Sequence, residues 1–156
     1  MNKDASIRWL ATRSSSANAA ARLPRLVSEF FAAGRALAAA DSGPAQAHLF
    51  RIRTKRMRYT LELFRSCYGR GLGTRLNSLR EIQQCLGEMN DFATIRRLSR
   101  RPAVEAFMDS RMASKIDEFR LLWRERFDRT GQERRWITYL RSPRPGQKRR
   151  PPVTVG

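Results

Sequence analysis

The chain has 156 residues, 41% of them hydrophobic, which suits one domain with a buried core. Its formal net charge is +18 at pH 7 and its pI is near 11.6, a field far larger than solubility needs and one that gathers polyanions. No apolar run approaches the ~18 residues of a membrane span, and the middle of the chain lacks the composition of a disordered polymer.

The 32 basic residues are 28 Arg and 4 Lys. Arginine offers a planar fork that grips phosphate at two points, although genome base composition also inflates arginine. Residues 1–21 are rich in Ser and Ala and read as a leader or a short helix. The opening MNKDASIRWLATRSSS has no apolar signal-peptide core; its Arg/Ser content weakly resembles a transit peptide.

From Arg22 to Ala40, apolar residues recur at helical spacing, with Pro24 placed in the first turn where its missing N–H is tolerated. DSGPAQ breaks the pattern, and Asp41 or Ser42 is available to cap a long helix from Pro44 to about Tyr68. GRGLGT reads as a loop. Arg75 to Met89 predicts a third helix with Leu76, Leu79, Gln83 and Leu86 on one stripe, and Asn90-Asp91 is an N-cap signal for a continuation to about Leu98. Pro102 opens a last helix to about Phe127, with Phe107, Met112, Ile116, Phe119 and Trp123 for its buried side. Nothing reads as a strand. The expected fold is all-α: an antiparallel four-helix bundle over residues 22–128. The basic, Pro-rich tail over 129–156 ends in RSPRPGQKRRPPVTVG and is expected to be largely disordered.

Two cysteines do not make a disulfide framework. On adjacent antiparallel helices Cys67 and Cys85 would stand roughly 15 Å apart along the axis, beyond the ~4.4–6.8 Å between Cα atoms that a bridge tolerates. They read as free thiols in a reducing cytoplasm.

The segment His48 to Tyr59, HLFRIRTKRMRY, carries five Lys/Arg and no acid, directly after the only histidine. Like charges three or four apart on a helix repel by a few tenths of a kcal/mol each, so either acids of the same fold or an external polyanion must offset the repulsion. On a helical wheel Arg51, Lys55 and Arg58 fall within about 80° of His48 on one side and span ~15 Å. Glu62 joins the lower end. On the other side lie Leu49, Ile52, Tyr59 and Leu63, and further round Phe50, Met57, Leu61 and Phe64. Two apolar arcs predict a helix packed on both sides, with the basic stripe as its remaining edge. Arg53 and Arg56 interrupt the apolar arc; pairing with Glu81, Glu88 or Asp91 is one role, and ligand contact, above all for Arg56, is the other. A neutral imidazole at position 48 can donate one hydrogen bond, and a bound phosphate favours its charged form.

The pattern H-x-x-R-I-x-x-K-R-x-R-Y, followed about twenty-five residues later by Q-x-x-L-G-x-x-N-D in QQCLGEMND, resembles the CHAD (conserved histidine α-helical domain) family over roughly Ala47 to Leu98. That resemblance implies an all-helical protein that binds inorganic polyphosphate through a basic surface. His48, Arg51, Lys55, Arg56, Arg58 and Tyr59 occupy the basic motif, and Arg51, Lys55 and Arg58 are the expected phosphate contacts. Arg53, Tyr59, Arg75 and Arg80 are secondary candidates. Gln83, Leu86, Gly87, Asn90 and Asp91 fall on the second motif, where structural roles are expected: close helix approach at Gly87, capping and neutralisation of an arginine at Asp91. The family usually has two such halves with a basic channel between them, whereas this chain carries one, similar to the carboxyl half. It is therefore expected to dimerise and rebuild the channel, or to be a fragment or weakened half.

Other chemistries are poorly served. The glycines of GRGLGT match neither a Walker loop nor a dinucleotide fingerprint, and no E-x-E motif of a triphosphatase exists. One histidine and no Cys/His cluster give no metal site, and no nucleophile has a base, so neither an enzyme nor a cofactor is expected. The competing functions are sequence-nonspecific nucleic-acid binding, disfavoured by the few aromatics near the stripe, and a basic interaction module for an acidic protein.

Overall fold

A computed structural model describes residues 10–39 and 41–144. The start of the expected leader and the end of the expected tail lie outside the described residues. Five α-helices run in order: α1 (Ser15–Ala39), α2 (Pro44–Leu63), α3 (Gly71–Leu98), α4 (Pro102–Arg126) and α5 (Gln132–Arg141), with a 3-10 turn at Arg65–Cys67 between α2 and α3. The described residues contain no strand, so the protein is all-α. None of the described helices is long and apolar enough to cross a membrane.

Constant sums of contacting residue numbers fix the helix directions. Phe30 meets Phe50 while Glu29 meets Arg53 across α1–α2, and Arg58 meets Gln83 while His48 meets Asn90 across α2–α3. Arg126 meets Glu81 and Arg111 meets Phe92 across α3–α4, and Phe30 meets Phe127 while Ala38 meets Arg120 across α1–α4. Each pair is antiparallel. The centre is aromatic: Phe30, Phe31, Phe50, Phe119, Trp123, Phe127 and Trp136 are all buried, with Phe30 and Phe50 stacked at 5.1 Å and Trp123 on Phe127 at 4.8 Å.

Several sequence expectations move. α1 begins at Ser15 rather than Arg22, so Pro24 sits inside it. The longer helix is favoured because Asn18, Ala19 and Leu23 continue its buried face. The Ser14 hydroxyl also caps it, accepting from the Ala17 amide at 3.2 Å. Neither Asp41 nor Ser42 caps α2; Gly43 precedes its Pro44, and the Ser42 hydroxyl donates to the Leu37 carbonyl of α1. α2 ends at Leu63, and α3 starts within the expected loop, at Gly71. α3 passes through Asn90-Asp91 without a break, so Asp91 is a mid-helix residue and no cap.

Residues 132–141, expected in the tail, form α5, because Trp136 and Leu140 bury against α1 and the α2–α3 turn. Phe107 is exposed: nothing on α4 before Met112 is buried. On α2 one apolar arc, Phe50, Met57 and Leu61, is buried together with Thr54, whereas Leu49, Ile52, Tyr59 and Leu63 are exposed. α1 and α3 cover the inner face of α2, and no described element covers the outer one. Both cysteines are free and buried.

Candidate anion-binding groove between α2 and α3

The antiparallel register of α2 and α3 lays the basic motif of one helix beside the second motif of the other. At the head, His48 Nδ1 stands 2.7 Å from Asn90 Oδ1. With an amide oxygen as acceptor, Nδ1 carries the hydrogen and Nε2 remains for a second partner. One turn on, Arg51 is half-buried; its Nε is buried and has no hydrogen-bond partner. Gly87 lies opposite, where a Cβ would stand 3.8 Å from that Nε. Lys55, a further turn along and half-buried, makes no hydrogen bond or ion pair among the described residues. His48, Arg51 and Lys55 therefore form a row ~10 Å long in which no carboxylate of the described residues pairs with Arg51 or Lys55.

The foot differs. Arg58 donates from Nε to Gln83 Oε1 at 2.9 Å and from Nη1 to Glu62 Oε1 at 2.7 Å, and its guanidinium lies 4.3 Å from the Tyr59 ring centroid. Arg80 of α3 reaches the same carboxylate oxygen at 3.1 Å and Asn77 Oδ1 at 2.9 Å. Arg58 is only 15% exposed. At the foot of the stripe one carboxylate thus offsets one of two positive charges, and both guanidinium groups are engaged from within.

The remaining candidates lie elsewhere. Arg53 leans towards α1, with Nη1 3.5 Å from the Glu29 carbonyl, and Arg56 is exposed on the outer face. Glu81 and Glu88, expected as partners for these arginines, instead face α4 and hold Arg126 and Lys115. Arg75 belongs to the α5 junction: it lies 3.8 Å from the Tyr139 ring centroid and donates to the carbonyls of Gly71 and Arg135. Desolvation lowers its pKa. Leu86 is core and Asp91 is exposed. Sequence reading missed the pairings His48–Asn90 and Arg58–Gln83, which join residues 42 and 25 apart; only the fixed order of the two motifs hints at them.

Among the described residues no cluster of three or more His, Cys, Asp or Glu could hold a metal ion. A concavity of about 580 Å³ lies away from the groove at the α4–α5 turn. It contains Arg35, whose guanidinium is spent on Asp128 and Glu133.

Residues 3–100 match the family described as CHAD domain, a span that covers more than half of the chain and contains both motifs and the row of His48, Arg51 and Lys55. No curated protein and no solved structure matches the chain. By this match the chain belongs to the CHAD domain family.

Proposed function

We propose that this protein binds inorganic polyphosphate, without catalysing a reaction, in the groove between α2 and α3. CHAD is a known polyphosphate-binding family. The observation that carries the reading for this chain is the head of the groove: the buried, partnerless Nε of Arg51 one turn from Lys55, neither of which forms an ion pair among the described residues. An unsatisfied buried donor costs ~1–3 kcal/mol and more when charged, and a phosphate oxygen would satisfy it. His48, Arg51 and Lys55 are the primary contacts. Arg56 and Arg58 add to the field, Arg58 reaching a ligand by exchanging Glu62 for phosphate. Arg53, Tyr59 and Arg80 border the site, and Arg75 is assigned to α5 packing. The fold is read as one half of the duplicated CHAD architecture, in which a second copy would supply the other wall of a channel. The two free thiols suit a reducing compartment, and we place the protein in the cytoplasm.

The test is polyphosphate affinity at physiological salt for wild type and an Arg51→Ala/Lys55→Ala variant, with charge-matched single-stranded DNA as competitor. The expected result is selective binding that weakens at least tenfold in the variant. Equal competition by DNA would favour the nucleic-acid reading, and unchanged binding in the variant would move the site off α2.

A further inference from the structure

Helices α3 and α4 run on past the core. The last buried residue of α3 is Met89 and the first of α4 is Met112. Beyond them stands roughly 13–15 Å of helical hairpin, at ~1.5 Å per residue. The neighbouring helices stop short: α1 ends at Ala39, level with Arg120 of α4, and α2 begins at Pro44, one turn beyond the His48–Asn90 contact. The Arg96–Asp109 ion pair joins the two arms, and the same antiparallel register sets Leu98 level with Phe107.

The tip turns apolar side chains outward. At about 100° per residue, Ile95 and Leu98 lie about 120–180° round α3 from the buried Ile82, Leu86 and Met89. Phe107 lies about 140–180° round α4 from the buried Met112 and Ile116. The three are exposed by 44%, 71% and 59%. Single exposed apolar residues need no explanation, but these share one outer face of one tip. The loop between the arms, RRLSRRP, supplies charge: no acid occurs from Phe92 to Val104. Arg97, Arg100 and Arg101 are exposed and make no ion pair or side-chain hydrogen bond among the described residues.

This combination selects among anionic partners. Polyphosphate or a nucleic-acid backbone would answer the arginines and leave Leu98 and Phe107 in water. A bilayer carrying anionic lipids answers both, since headgroup phosphates meet guanidinium groups while apolar side chains enter the boundary of the acyl chains. A convex tip suits a fluid surface better than a cleft would. We infer that the α3–α4 tip docks on an anionic lipid surface, with Ile95, Leu98 and Phe107 entering the headgroup layer and Arg97, Arg100 and Arg101 on its phosphates. The site does not draw on the α2–α3 groove, whose head at Asn90 lies ~12 Å back along α3 from Leu98.

The experiment is co-sedimentation of the full chain, at physiological salt, with vesicles of phosphatidylcholine alone or of phosphatidylcholine and phosphatidylglycerol in equal parts. Wild type is expected to bind the mixed vesicles and not the neutral ones. Leu98→Ser/Phe107→Ser keeps every charge, so it separates insertion from the field of a +18 chain. It should bind the mixed vesicles about tenfold more weakly, as should Arg97→Gln/Arg100→Gln/Arg101→Gln. Arg51→Ala/Lys55→Ala, altered only in the groove, should bind them nearly as wild type does. In a Phe107→Trp protein the added indole emission should shift to the blue on mixed vesicles. All the tip positions are exposed, and circular dichroism checks that the fold is kept. Unchanged binding by the serine variant, or no blue shift, would reduce the attraction to net charge and overturn the inference. Loss in the groove variant alone would move the lipid contact to α2 and overturn it as well. No binding of wild type to either vesicle would also overturn it, leaving the patch to an acidic protein. Polyphosphate binding is assayed without lipid, so none of these outcomes decides the reading of the groove.

Discussion

Arg58 of α2 donates to Oε1 of Glu62 at 2.7 Å, and Arg80 of α3 reaches the same oxygen at 3.1 Å. One carboxylate therefore answers two cations at the foot of a stripe whose head forms no ion pair among the described residues. Glu62 sets where the anion-attracting row ends. Replacing it by Gln keeps the shape and one acceptor oxygen but releases both guanidinium charges. Glu62→Gln is expected to raise polyphosphate affinity about two- to fivefold and to steepen its dependence on salt, since more phosphate contacts release more counterions. It should lower stability by no more than about 1 kcal/mol, the range of partly exposed pairs. Titrations at two salt concentrations read both effects; weaker binding would mean that Glu62 orients Arg58 for the ligand rather than withholding it.

The stripe itself was legible because charge along α2 has a 3.6-residue period that needs no tertiary information. What the period does not reveal is which apolar arc faces inward. Phe50, Met57 and Leu61 and the arc of Leu49, Ile52 and Leu63 are equally hydrophobic, and only the positions of α1 and α3 decide between them. Pro24 misled the reading of α1, since proline marks a helix start by local sterics, yet α1 holds it inside a helix whose buried face continues on both sides. α5 was hidden by composition. Trp136 and Leu140 sit among charged residues that read as tail, and they earn a helix only by meeting Phe31 and the Tyr68 hydroxyl, each far away in sequence. In the groove, the motif residues were visible, but their division into open cations and an internally paired foot depends on side chains that meet across two helices.

Gly34 of α1 lies beneath the Trp123 ring, where a Cβ would fall 2.0 Å from Cη2. The ring has little freedom to retreat: it stacks on Phe127 at 4.8 Å and abuts Phe30 at 5.8 Å. Alanine would gain ~1 kcal/mol in helix propensity, but overpacking a close-packed core typically costs ~1–3 kcal/mol, occasionally more, and this contact is severe. Gly34→Ala is expected to lower stability by about 1–2 kcal/mol net, measured by urea unfolding. Trp123→Phe shrinks the ring and removes an indole N–H that has no partner, so in the Gly34→Ala background it should cost less than it does alone. A Gly34→Ala protein as stable as wild type would mean that α1 and α4 can slide apart at this crossing.

Cys85 of α3 is buried, and its thiol donates to the Lys115 carbonyl at 3.4 Å. Burial, reinforced by the nearby Glu118 and Glu88 carboxylates and opposed by Lys115, pushes the thiol up to about 12. An unfolded cysteine ionises near ~8.5, so the folded state holds its proton longer than the unfolded state does. The associated stability is fully present below about pH 8.5 and is lost as pH rises towards 12, with a slope of at most ~1.4 kcal/mol per pH unit. Between pH 9 and 11 wild type should lose stability faster with pH than Cys85→Ala, which has no proton to shed at that site, and the difference isolates this thiol from other alkaline titrations. In the native protein at pH 9, iodoacetamide should leave Cys85 unmodified, and peptide mass spectrometry should find it alkylated only after denaturation. Equal slopes in the two proteins, with rapid native labelling, would mean that the α3–α4 seam opens readily enough to hydrate the sulfur.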